Sequence, residues 1–250
     1  MSHGLYSTKH LVFQHRPNLE GPCWTVLMCS RSALQIAAKP AACWRRLKRY
    51  AGREDVIVIG LAAGGMVVAG EIAKQLQLPV DVLLMRRLQV PGHEYLHMGA
   101  VAEGGPVVLN PGVIQSVGLH PYAVEMSAVA AEAELQDESL CFRKRHPRGR
   151  VRDKVVILAD DGIVTGASMR AAVAALRERR AAQIIIASAV VPAMTCDLLK
   201  HAAERVVTLA EPEVIGSLDE WYEEFEPISD FSACEVVDHG SSGAGYLTAK

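Results

Sequence analysis

The chain has 250 residues and is 50% hydrophobic, enough to bury a full core in one α/β domain with short appendages. A formal net charge of −2 gives no bulk electrostatic reason to bind nucleic acid. The six cysteines, Cys23, Cys29, Cys43, Cys141, Cys196 and Cys234, show no Cys-x-x-Cys spacing and no clustering, which argues for reduced thiols in a cytoplasmic protein and against a disulfide frame or a zinc site.

Residues 1–52 form a poorly defined N-terminal segment without sustained periodicity; the apolar run Cys23 to Cys29 is too short to span a membrane and leads to no clear cleavage site. From Asp55 the pattern alternates. Val56 to Ile59 reads as a buried strand, Gly64-Gly65 as a turn, Met66 to Leu78 as a helix stopped before Pro79, and Val80 to Met85 as the next strand, a β-α-β unit. The stretch from Val56 to Gly70 is uncharged, but it is shorter than a membrane span and broken by glycines, so no membrane partner is expected. Val90 to about Pro121 reads as a long irregular region, Tyr122 to about Phe142 as a helix, and Arg143 to Arg152 as a basic connection. Strands follow at Val155 to Ala159, Ile184 to Val191 and Val206 to Leu209, with helices at Met169 to Arg180 and Thr195 to Ala203. The fold class expected is α/β, a doubly wound, mainly parallel sheet flanked by helices, occupying residues 53–230, with a C-terminal tail at 231–250.

The chemistry concentrates in Val155 to Met169. An apolar strand ends in two adjacent carboxylates, Asp160 and Asp161, and a glycine turn with hydroxyls follows before the next helix. Four backbone amides are free at a helix start and, with the positive end of its dipole, form an anion site. Thr165 and Ser168 add hydroxyl donors, while Gly162 and Gly166 let the backbone close around a phosphate. The carboxylates suit vicinal hydroxyls, or a hard cation held through water. A ribose 5-phosphate satisfies both halves; a plain turn with Thr165 as helix cap is the bland alternative.

This spacing resembles the 5-phosphoribosyl-1-pyrophosphate (PRPP) signature of type I phosphoribosyltransferases, in which an apolar strand leads to Asp-Asp, two or three mostly apolar residues, then Thr-Gly-x-Ser/Thr. The resemblance implies that Asp160 and Asp161 hold the ribose 2- and 3-hydroxyls. It implies that Gly162, Ile163, Val164, Thr165, Gly166, Ala167 and Ser168 wrap the 5-phosphate. It also places the turn Leu61-Ala62-Ala63-Gly64-Gly65 as the pyrophosphate loop, with Ala63, Gly64 and Gly65 approaching the donor. The family pattern there reads Pro-Arg-Gly-Gly, so Ala62 and Ala63 replace a proline and an arginine whose charge-assisted contact is worth about 1.5–3 kcal/mol. Taken alone, the glycine pair fits tight helix-on-sheet packing as well as phosphate contact.

Arg86-Arg87-Leu88, Pro91-Gly92, Gly99-Ala100-Val101-Ala102 and Gly104-Gly105 are similar to a subgroup of bacterial predicted phosphoribosyltransferases. There Arg87 takes the place of a lysine that approaches the pyrophosphate, keeping the charge and changing the geometry; solvated strand-end arginines are the alternative. The subgroup also shares the element Trp221-Tyr222-Glu223-Glu224-Phe225, in a region where the wider family builds a small C-terminal hood over the acceptor base. For Trp221, anchoring of the C-terminal segment is the favoured role.

His93 and His97 stand four apart, but Pro91-Gly92 and Gly99 argue against a helix, so they read as exposed or substrate-loop histidines and not as metal ligands. The run Arg143, Lys144, Arg145, Arg148 and Arg150 reads as a solvated connection paired with the helix acids Glu125, Glu132, Glu134, Asp137 and Glu138, or as cations for the leaving diphosphate. The resemblance therefore implies transfer of a 5-phosphoribosyl group from Mg-PRPP to a nucleobase-like nitrogen. It implies Mg2+ carried by PRPP and water without a protein metal site, and a homodimer. Ala62 and Ala63 keep open a non-catalytic PRPP- or nucleotide-binding regulatory protein with a degenerate loop. A Rossmann or Walker-type binder is disfavoured, since no Gly-x-Gly-x-x-Gly follows the first strand and no Gly-Lys-Ser/Thr is present.

Overall fold

The computed structural model describes residues 46–61, 64–216, 218 and 221, with backbone alone at 94 and 95. The expectations for most of the N-terminal segment, for Ala62 and Ala63, for the hood beyond Trp221 and for the tail lie outside the described residues. After a 3-10 turn at Lys48–Tyr50, the elements in chain order are β1 (Val56–Leu61), α1 (Gly64–Leu76), β2 (Val80–Leu83), β3 (Met85–Val90), β4 (His93–Ala102), β5 (Val107–Leu109), α2 (Pro111–Val117), α3 (Pro121–Arg143), β6 (Val155–Gly162), α4 (Ala167–Glu178), β7 (Gln183–Val190), α5 (Ala193–Lys200) and β8 (Arg205–Ala210).

β1 is buried at every residue, β6 over its first five and β7 at all but its first, as strands covered on both faces must be. They lie in a five-stranded sheet of order β2-β1-β6-β7-β8, with every neighbouring pair parallel. Alternation along β1 sends Val56 and Val58 to a core shared with α1 and α3, and Ile57, Ile59 and Leu61 to one shared with α4 and α5. The chain therefore folds as the α/β class expected, a parallel sheet with helices on both faces. Among the described residues no helix is long and apolar enough to cross a membrane.

The region read as irregular is instead a second sheet, antiparallel, of order β3-β4-β5, followed by α2. Two register shifts, at Leu88/Gln89 and Gln89/Val90, break its period-two pattern, and the small residues from Gly99 to Ala102 carry little strand propensity. Ala100 and Ala102 are small where α4 lies against them, and Gly99 where β5 does, since a Cβ there would stand 2.6 Å from the Val108 carbonyl. Gly105 comes so close that a Cβ there would sit 2.5 Å from the Ala175 Cβ, and α4 presents Ala171, Ala172 and Ala175 to the core. The strand expected to reach Met85 ends at Leu83, because Met85 already belongs to the second sheet. α2 and α3 each begin with proline at the first turn, and His120 Nδ1 accepts from the Tyr122 amide at 3.2 Å to cap α3.

The basic run is neither a fully solvated connection nor part of the sheet's carboxyl edge. Arg143, whose side chain is 11% exposed, donates to Glu103 Oε2 at 2.7 Å, to Asp81 Oδ1 at 3.0 Å and to the Val82 carbonyl at 2.6 Å. Ser139 Oγ and Arg148 Nε also donate to Glu103 Oε1, and the Gly149 amide donates to Asp81 Oδ2 at 2.8 Å. Burial alone would raise the Glu103 carboxyl, but the hydrogen bonds from Arg143 and Ser139, with the charges of Arg143 and Arg148, outweigh it and hold Glu103 below the usual range. Arg179, at the carboxyl end of α4, donates to the Gly149 carbonyl at 2.9 Å, which places this network at the end of α4 remote from Gly166. Lys144, Arg145 and Arg150 are exposed, as a solvated connection requires. Two of the helix acids named for the run serve a different cation: Arg86 Nη2 reaches Glu138 Oε2 at 2.8 Å, and Arg86 Nε lies 4.0 Å from Glu134 Oε2.

Candidate functional site

β1 and β6 are parallel neighbours, with Gly60 opposite Ala159, so their carboxyl ends emerge side by side. The chain leaving β1 enters α1 at Gly64, and the chain leaving β6 enters α4 at Ala167. Two helix amino ends therefore open onto one stretch of the sheet's carboxyl edge, where ligands of such sheets bind. Gly64 and Gly65, read from sequence as a turn, are the first two residues of α1.

Asp160 and Asp161 are partly buried in the last turn of β6 before Gly162. The Asp161 amide donates to Asp160 Oδ1 at 3.1 Å and the Gly162 amide to Asp161 Oδ1 at 2.8 Å, which holds both carboxylates at the edge. Burial raises the Asp160 carboxyl well above its ordinary value, and the charge and hydrogen bond of Asp161 push the same way; Arg87 opposes them. The neighbouring glycines make room for this pair. A Cβ on Gly64 would be driven into Asp161 Oδ2, and one on Gly65 would stand 2.6 Å from the Ala159 carbonyl and 3.1 Å from Asp160 Oδ1. The glycine pair is thus packed against the carboxylate pair itself.

Beyond Asp161 the turn is fixed from three sides. The buried Ile163 donates its amide to the Val190 carbonyl at 3.0 Å, while the carbonyl of the exposed Val164 accepts from Thr195 Oγ1 at 2.7 Å. Gly166 adopts φ 74°, the left-handed region, and caps α4 without a side chain. Thr165 is exposed, with its Oγ1 3.5 Å from the Ala167 amide, and Ser168 is half-buried beside the buried Ala167. A Cβ on Gly162 would collide with Leu218, so the Leu218 side chain lies over the end of β6. Trp221 is partly buried and donates its amide to the Leu218 carbonyl at 3.0 Å.

Arg86 and Arg87 point apart, as successive residues of a strand must. Arg86 turns to α3, whereas the exposed Arg87 lies near enough to the edge for its charge to act on Asp160. His93 and His97 lie on β4 and not on a helix, and among the described residues no group of three or more His, Cys, Asp or Glu could hold a metal. Sequence reasoning missed Leu218 and Thr195. A glycine at 162, where the family pattern is often apolar, was the available signal for the first; nothing local pointed to the second.

Residues 31–221 match the family model described as phosphoribosyl transferase domain. A Mycobacterium tuberculosis protein, found in two strains and provisionally named a phosphoribosyl transferase, is 35% identical over 196 residues. That alignment takes in 78% of this chain and 44% of the relative, so the chain spans less than half the length of the curated relatives it matches. A crystal structure from Thermus thermophilus, that of TT1426, is 29% identical and superposes with a TM-score of 0.60, covering 82% of this chain and 93% of the other. The purine phosphoribosyltransferase of Pyrococcus horikoshii is 20% identical at a TM-score of 0.42, covering 79% and 95%, too distant a likeness to inform the site.

Proposed function

The chain belongs to the phosphoribosyl transferase domain family, and from that premise we propose that it moves a 5-phosphoribosyl group from magnesium-bound PRPP to the nitrogen of a nucleobase-like acceptor. The bond from ribose C1 to the diphosphate oxygen breaks, the C1–N bond forms, and pyrophosphate and the acceptor's N–H proton are released. The observation that carries this reading is the carboxylate pair set between two helix amino ends, one group for sugar hydroxyls flanked by two for phosphates.

The amino end of α4, with Thr165 and Ser168, takes the 5-phosphate, while Asp160 and Asp161 accept from the ribose hydroxyls and fix C1 toward the acceptor. As positive charge develops on the ribose ring, the carboxylate of Asp161 is already close and needs no rearrangement. The amino end of α1 and Arg87 face the departing diphosphate. A magnesium ion held mainly by PRPP oxygens and water would stand near Asp160 and Asp161, and it would supply charge neutralisation to the diphosphate. The cytoplasm, where thiols stay reduced, is the compartment we assign, and a homodimer is the assembly we assign.

The test is pyrophosphate release from Mg-PRPP in the presence of single purine and pyrimidine bases. Base-dependent release is expected for at least one of them. Tight PRPP binding without release across the series would contradict transfer and favour the regulatory reading that Ala62 and Ala63 raise.

A further inference from the structure

A backbone turn holds an anion only if its amides converge, and the turn between β6 and α4 does little by itself to fix them. Gly166, at φ 74°, lies in backbone space that glycine enters and leaves easily, and Val164 and Thr165 before it are exposed. A peptide plane between two exposed residues turns over unless something holds its carbonyl. Here the holder comes from a distant helix. Thr195, 7% exposed in the first turn of α5, donates from Oγ1 to the Val164 carbonyl at 2.7 Å. Its methyl is used as well, since a Cβ on Gly166 would stand 3.1 Å from Thr195 Cγ2. Leu199, one helical turn along α5, closes the same space at 3.6 Å. One side chain therefore grips the segment 164–166 at both ends.

The consequence is directional. In a planar trans peptide the carbonyl and the amide point opposite ways, so holding the Val164 carbonyl toward α5 turns the Thr165 amide away from it. Among the described residues the amides of Thr165 and Gly166 find no acceptor, and they lead directly into the free amides at the start of α4. Thr195 itself faces the turn's backbone and not its open side, so its hydroxyl acts on the turn and not on a ligand.

We propose that Thr195 is a positioning residue for the 5-phosphate: it holds the peptide after Val164 in the orientation that leaves the Thr165 amide open to an anion. This rests on the phosphoribosyl reading above. Thr195→Val keeps the shape and loses the hydroxyl, Thr195→Ser keeps the hydroxyl and loses the methyl, and Thr195→Ala loses both without adding an atom. The experiment measures affinities of the full chain for ribose 5-phosphate, ribose, Mg-PRPP and pyrophosphate, with an unfolding midpoint for each variant. The valine and alanine variants should bind ribose 5-phosphate and Mg-PRPP about three- to tenfold more weakly, with pyrophosphate within twofold of the unsubstituted protein. The serine variant should return both sugar phosphates to within about twofold. A hydroxyl that only stabilised the fold would lower the unfolding midpoint and leave sugar-phosphate affinity alone. That result overturns the assignment while the phosphoribosyl reading stands, as does equal weakening of all ligands or a serine variant no better than the alanine one. An unsubstituted protein that binds ribose 5-phosphate no better than ribose overturns both.

Discussion

The Asp161 carboxylate fills the space that a side chain at residue 64 would need, so the acids and the glycines of this site are one arrangement. Gly64→Ala should displace Asp161 and weaken ribose 5-phosphate about tenfold, a ligand with no diphosphate for a glycine loop to contact; loss of pyrophosphate affinity alone would show that residue 64 acts on the anion directly. Ala63→Arg should do the reverse, tightening pyrophosphate and PRPP only. Asp160 separates binding from stability. Its folded value lies above the unfolded one of about 4, so the native state binds the extra proton between the two, and stability falls as pH rises through that window. Asp160→Asn removes this cost. Its unfolding midpoint should match the parent's near pH 4 and exceed it at pH 8, while its affinity for PRPP falls by an order of magnitude or more. An equal midpoint at pH 8 would contradict the burial of that charge.

At the scale of elements, β1 and β6 were legible because each opens on an unbroken apolar run, β7 because Ser188 alone interrupts its run from Ile184, and α4 because its apolar residues recur at helical spacing. β3, β4 and β5 were not, since the register shifts around Gln89 break the alternation, Ala100 and Ala102 answer to α4 packing, and Gly99 answers to the close approach of β5. The basic run was misread for a related reason: its partners Asp81 and Glu103 lie 62 and 40 residues from Arg143, so no local pattern shows them. Arg143→Met would leave Glu103, 1% exposed, and Asp81, 6% exposed, short of their cation, and should cost about 3–5 kcal/mol in urea unfolding. Because the folded Glu103 value is lowered, its contribution is present above about pH 4 and lost as pH falls through the folded value, so this cost should shrink in acid.

For the whole molecule, the fold class and the carboxylate-and-glycine signature could be read from sequence because both depend on short, contiguous segments. The packing of the second sheet on α4, the passage of Leu218 across Gly162 and the fixing of Val164 by Thr195 depend on contacts between distant segments, which only the folded chain shows. The central claim is that two phosphate sites flank one sugar site along a single sheet edge. Calorimetric titration with PRPP, with and without magnesium, against ribose 5-phosphate tests it most directly. The account predicts magnesium-dependent PRPP binding at least tenfold tighter than ribose 5-phosphate, the gain expected of one charge-assisted contact or more. Equal affinity for the two, indifferent to magnesium, would contradict it.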